Sequence, residues 1–170
     1  MALVPPVVHL HRRRVLHRLC LSLARHSRVA WAAARVVRTL DAHDRLGRIA
    51  ALFTFVSHLA AEAEGAAGEL RDGVDMLVSV AGPEAAPAVL LAALLKSVGE
   101  KAQVDYARDI VFVRVEIAVA DAARLPPHAA LVAGARGRVY LPLWMPHAKS
   151  PMGFLPRPAR EGLARRRFIA

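Results

Sequence analysis

The sequence predicts an α+β domain in which N-terminal helices and a central buried helix pack on a small antiparallel sheet of about four strands. Three observations carry this. Apolar residues recur at helical spacing as far as Ser97, and beyond Gly99 the period falls to two. Between them the run Ala85–Leu95, broken only by Pro87, is apolar on every side and suits a helix buried in the core. At 170 residues, 55% of them hydrophobic, the chain is long enough for one such core.

Taken in order, the first six residues are Pro-rich and extended. From about His11 to Ala24, Val15, Leu16, Leu19 and Leu23 form an apolar helical stripe with Arg and His opposite. Ser27 can cap a second helix through Val29, Ala33, Val36, Val37 and Leu40, which also carries Trp31 as a core or interface residue. Asp41 or Asp44 can cap a third, with Leu46, Ile49, Phe53, Val56 and Leu59 on one face. Residues 64–68 are a loop, and Asp72 starts a short helix through Met76, Leu77 and Val80. Gly82-Pro83 breaks the chain before the central helix, Glu84–Ser97, which Gly99 is placed to end. Ala102, Val104 and Tyr106 then alternate with Gln103 and Asp105. In the next strand Val111, Val113, Val115 and Ile117 share one face and Ile110, Phe112, Arg114 and Glu116 the other, where Arg114 and Glu116 are read as a solvated face, with a polar patch as the alternative. Leu125-Pro126-Pro127 is a loop, and 130–133 with 138–143 form a hairpin around 134–137. The Pro- and Arg-rich tail is expected to lie across a neighbour rather than join the core.

The net charge of +10 needs a reason. Arg12, Arg13, Arg14, Arg18, Arg25 and Arg28 crowd the start, and Arg157, Arg160, Arg165, Arg166 and Arg167 the end. From Ala60 to Asp121 acidic residues outnumber basic ones. Basic ends on such a body read as docking arms, with other protein subunits as the expected partners and nonspecific nucleic acid as the alternative. Neither aromatic–basic interleaving nor a nucleic-acid reader motif is visible. A single cysteine, Cys20, excludes an internal disulfide and fits a reducing compartment. No secretory signal is evident, and no apolar run approaches the length of a membrane span. The expected location is the cytoplasm, or a macromolecular particle assembled there.

The order of a Gly break, an aliphatic helix, two strands and a hairpin ending in Leu141-Pro142-Leu143 resembles the transglutaminase-like (papain-like) superfamily. The likeness rests on Ala81-Gly82-Pro83-Glu84-Ala85-Ala86, on Val89 to Gly99, on Ala102-Gln103-Val104 and on Leu52 to Val56, and covers roughly residues 40–145. It implies a catalytic cysteine at the start of the central helix, where the helix dipole lowers a thiol's pKa, a histidine on the following strands and an acid to orient it. The cysteine position falls at or next to Glu84. The histidine position falls within Ile110, Val111 and Phe112, and the acid position at Trp144. None of these residues can take the role required of it. The resemblance therefore implies a catalytically degenerate member with no cofactor and no metal, working by binding as a structural or assembly component of a larger bacterial or phage-like complex. It divides the chain into a basic helical extension (1–40), the transglutaminase-like domain (41–147) and a basic tail (148–170).

Other chemistry has little to stand on. Cys20 sits among Leu19, Leu21 and Leu23 as a small apolar side chain rather than a substitute nucleophile. His9, His11, His17 and Cys20 match no common zinc spacing and are read as surface histidines on a basic helix. Glu84 suits a helix N-terminus as a dipole partner. Trp144 and Phe154 are the aromatic candidates for partner contact, beside the arginines Arg12, Arg13, Arg14, Arg18, Arg165, Arg166 and Arg167. An enzyme with a different active site finds no support in any spacing.

Overall fold

The computed structural model describes residues 6–62, 81–145 and 151–166, with side chains for 14–59, 81–145 and 151–163. The loop expected at 64–68 and the helix expected from Asp72 lie outside the described residues. Helices α1 (Pro6–Ala24), α2 (Ser27–Val37) and α3 (Arg45–Glu62) come first. They are followed by α4 (Ala86–Ser97), the strands β1 (Ala102–Ala107) and β2 (Ile110–Ile117), and the short α5 (Val119–Ala122). The hairpin β3 (Val132–Ala133) and β4 (Val139–Leu143) precedes α6 (Arg157–Arg166).

Local chemistry explains most of the boundaries. Ser27 does not cap α2. His26, in extended backbone, precedes the helix and gives it no side-chain cap. Asp44, rather than Asp41, serves α3: its Oδ1 accepts from the Gly47 amide at 3.2 Å, while Asp41 closes a turn with the His43 amide at 2.8 Å. At the end of α4, Gly99 takes φ +87°. Its amide donates to Lys96 O (3.0 Å) and that of Glu100 to Leu95 O (2.9 Å), a Schellman ending that satisfies two orphan carbonyls.

The sheet is antiparallel, ordered β1-β2-β4-β3. Val104 faces Val113 and Tyr106 faces Val111, while Val113 and Val115 oppose Leu143 and Leu141. These side chains and the core-facing residues of α4, Leu91 and Leu95 among them, form one buried cluster. Leu16 and Cys20 of α1, Ala33 of α2 and Ile49, Leu52, Phe53 and Val56 of α3 belong to it as well. Residues 1–40 were expected as an extension, yet α1 and α2 help to build the core.

The sheet's second face is not simply solvated. At the β1–β2 turn, Phe112 and Ala107 are buried with Leu155 and Ala159 in a smaller cluster. The C-terminal segment thus packs on the sheet instead of crossing to a neighbour, because an uncovered Phe112 would leave a large apolar surface in water. The other half of this face is ionic. Asp105, buried, pairs with Arg114 at 3.3 Å, and Arg114 lies over the Tyr140 ring at 5.0 Å. Glu116 pairs with Lys101 (3.2 Å) and Arg138 (3.6 Å). A second ionic knot ties α3 to the α4–β1 junction. Buried Glu100 accepts from Arg45 Nε at 2.6 Å and Arg48 Nη2 at 3.2 Å, and Arg45 Nη2 also reaches the Glu116 carbonyl at 2.6 Å.

Candidate functional site

The tight turn at Gly99 sends β1 back alongside α4, so the end of β1 and the start of β2 return to the helix N-terminus. Antiparallel pairing of β2 with β4 brings the end of β4 to the same place. Around this corner lies a cavity of about 470 Å³ lined by Pro83, Glu84, Pro87, Ala88, Asp109, Ile110, Val111, Trp144 and Met145. A neighbouring cavity of about 320 Å³ shares Pro83, Glu84, Asp109 and Val111 with it. Each of the three places singled out by the resemblance therefore contributes to one cavity, through Glu84, Ile110 with Val111, and Trp144. Phe112 does not. It is fully buried on the opposite face of the sheet, which removes it from the three residues read at the histidine position. Val111 packs against the cluster containing α4, so its side chain is directed toward the helix.

The helix start is set by its backbone. Gly82 takes φ +84°, and its carbonyl accepts from the amides of Ala85 and Ala86 at 3.1 and 3.0 Å. Pro87 stands in the first turn, and no side-chain oxygen caps the helix. The positive end of the helix dipole is thus left to the cavity and to exposed Glu84. The helix begins at Ala86, two residues after the predicted start. Asp109 is the lining residue that sequence reasoning missed. Its signal was available in the two-residue Arg108-Asp109 turn, where Arg108 takes φ 56°. Among the described lining residues there are two carboxylates and no thiol, hydroxyl or imidazole. Such walls can hold a ligand by shape, apolar contact and acceptor oxygens. They offer no nucleophile paired with a base.

The aromatic candidates also meet here. Trp144, half-buried, stacks on Phe154 with ring centroids 5.8 Å apart and tilted by 33°. Arg14 and Arg18 are exposed on α1. The side chains of Arg12, Arg13, Arg165 and Arg166, and Arg167 altogether, lie outside the described residues. Trp31, expected in the core or an interface, is 63% exposed.

Cys20 is 1% exposed in the core, and burial pushes its thiol pKa up to about 11 against a smaller opposing pull from the Lys96 charge. A protonated, enclosed thiol is a poor nucleophile. His17 is exposed, so it and Cys20 do not share an environment, and the side chains of His9 and His11 lie outside the described residues. Among the described residues no three of His, Cys, Asp and Glu stand close enough to hold a metal ion, and no helix is long and apolar enough to cross a membrane. No family model matches the chain, and no curated protein or solved structure is significantly similar to it.

Proposed function

We propose that this chain is a non-catalytic module of the transglutaminase-like type that works by binding, as a component of a larger protein assembly. One observation carries this reading. Of the residues that the resemblance sets at the places of a nucleophile, a base and an orienting acid, Glu84, Ile110 with Val111, and Trp144 line a single cavity at the N-terminus of the buried helix. Chance placement of three segments so far apart in sequence gives no reason for such convergence. The side chains present replace reactivity with contact area: Trp144 stacked on Phe154, the ring of Pro87, and the apolar Ile110 and Val111. A peptide segment from another subunit is the occupant that such a cleft suits. The assembly role, bacterial or phage-like, follows from the resemblance.

The arrangement is tested by putting the chemistry back. In a Cys20→Ala background, Glu84→Cys with Val111→His should give a thiol with a pKa clearly below the ordinary value of about 8.5. Iodoacetamide labelling followed against pH would read that value. A thiol at 84 that titrates as a free cysteine, with or without the histidine, removes the basis for the superfamily assignment. Binding is tested separately, with a photo-crosslinking residue in place of Ile110 in the native host extract. One partner protein crosslinked from that position, and not from exposed Val119, is expected; no position-specific product would sink the binding role.

A further inference from the structure

A different surface, remote from the cleft in sequence, carries its own assignment. Residues 1–40 contain eight arginines and no acidic residue, so they hold +8 of the chain's net +10. The remaining 130 residues have sixteen basic and fourteen acidic side chains, close to balance. The pairing of the described arginines leans the same way, with Arg136 and Arg160 as exceptions. Arg45, Arg48, Arg108, Arg114, Arg124, Arg138 and Arg157 all form ion pairs with carboxylates. Among the described residues Arg14, Arg18, Arg25, Arg28, Arg35, Arg38, Arg136 and Arg160 have none; all are exposed, and six of the eight lie within residues 1–40.

Three of these arginines lie on one line. Arg28, Trp31, Arg35 and Arg38 follow an i, i+3, i+7, i+10 spacing, so the aromatic–basic interleaving that is not visible in the linear sequence appears once the helix stacks them in a single stripe about 15 Å long on the outer face of α2 and its C-cap. The indole at its centre has the Arg35 guanidinium over it at 5.2 Å and is otherwise largely in solvent. The opposite face of α2 is spent on the core through Ala33, with Val29, Val36 and Val37 packed beside it. Arg25, at the α1–α2 turn, lines a cavity of about 460 Å³ of mixed charge, with Lys96, Lys101 and Arg138 beside Glu100 and Glu116.

We infer that the outer face of α2 binds single-stranded nucleic acid, with Arg28, Arg35 and Arg38 meeting phosphates and Trp31 stacking on an unpaired base. Unpaired cations in a row supply the complement to a phosphodiester chain. An exposed aromatic set between them supplies the sequence-tolerant stacking platform that single strands use and a duplex interior withholds. A lipid surface fits less well. Insertion at a membrane interface requires a helix to bury its apolar face in lipid, and that face of α2 is already buried in the protein. An acidic protein would complement the charge but would leave the exposed indole without a planar partner. The assignment does not depend on the cleft and survives if that reading fails.

The test uses the full chain with Trp144→Phe, so that Trp31 is the only fluorophore of its kind. An oligothymidylate of about 15 nucleotides should quench Trp31 emission as it binds, and affinity should fall steeply with added salt. Trp31→Ala, read by fluorescence anisotropy of a labelled oligonucleotide, should weaken binding by about 5- to 150-fold and leave the salt slope unchanged. Arg28→Gln and Arg35→Gln should each lower that slope by about 0.7. All three positions are exposed, so unchanged circular dichroism separates lost binding from lost folding. Binding indifferent to Trp31→Ala, an equal affinity for a same-length duplex or for polyglutamate, or a preference for phosphatidylserine vesicles would each overturn the assignment.

Discussion

Two buried ionisable residues show how the same burial has opposite consequences. Cys20 has no hydrogen-bonded counter-charge, so the core holds it neutral with a pKa of about 11, against about 9 in the unfolded chain. Its contribution to stability is complete below pH 9. It is lost as pH rises toward 11, because the unfolded chain releases the proton first. Over that window the stability advantage of the wild type over Cys20→Ala should shrink by about 2–3 kcal/mol in urea titrations. A constant difference would mean that the thiol is not enclosed. Glu100 is instead held by two guanidiniums and fixes the start of α3 to the entry of β1. Glu100→Gln keeps the shape but leaves Arg45 and Arg48 facing an uncharged amide. We expect a loss of about 3 kcal/mol in urea midpoint experiments. A loss below about 0.5 kcal/mol would place the pair among surface contacts that contribute little.

At the level of elements, two glycines with nearly the same φ should behave differently. Gly99 (φ +87°) ends α4, and a Cβ there would meet nothing within 4 Å. Gly99→Ala therefore costs only the left-handed backbone, about 1–2 kcal/mol. Gly153 (φ +82°) starts the C-terminal crossing over the sheet, where a Cβ would stand 2.8 Å from that of Ala129. The Gly153 carbonyl also accepts from the Ala130 amide at 2.8 Å, so the backbone cannot retreat freely. Gly153→Ala should lower the thermal midpoint by at least about twice as much as Gly99→Ala. Equal shifts would deny the close approach. The helices themselves were legible because their stripes are long: the Leu46 to Val56 face of α3 and the apolar α4 are both buried as expected. Cap positions were less so: Ser27 has capping chemistry but is already the first helical residue, and of Asp41 and Asp44 only the latter stands next to the start of α3.

For the whole molecule, the C-terminal segment decides whether the sheet has one covered face or two. Leu155, 1% exposed against Phe112 and Ala107, is the anchor of the second cluster. Leu155→Ala should cost about 2–5 kcal/mol in denaturant unfolding, as a core position does. An arm reaching for a neighbour would lose less than about 0.5 kcal/mol. Charge is also organised at this scale. Most described arginines of the part that contains acids are paired, whereas Arg14, Arg18, Arg25, Arg28, Arg35 and Arg38 of the acid-free start are exposed and without a carboxylate, with Trp31 among them.

The α+β class, the order of elements, the burial of α4 and the alternation of β1 and β2 can all be read from the chain before it folds. Those follow from periodicity, which is local: each helix or strand records in its own residues which side faces the core. A resemblance, carried by its segment order and motifs, pointed to Glu84, Ile110 to Phe112 and Trp144 as the places to compare. Only the tertiary structure decided that Glu84, Val111 and Trp144 line one cavity, that Phe112 points away from it, and that Asp109 joins it, because strand pairing and the turn at Gly99 set those distances. The structure likewise decided the fate of Trp31 and of the C-terminal segment. An aromatic at helical spacing can face either way, and a Pro- and Arg-rich tail carries no period of its own, so their burial or exposure depended on surfaces that other segments left open.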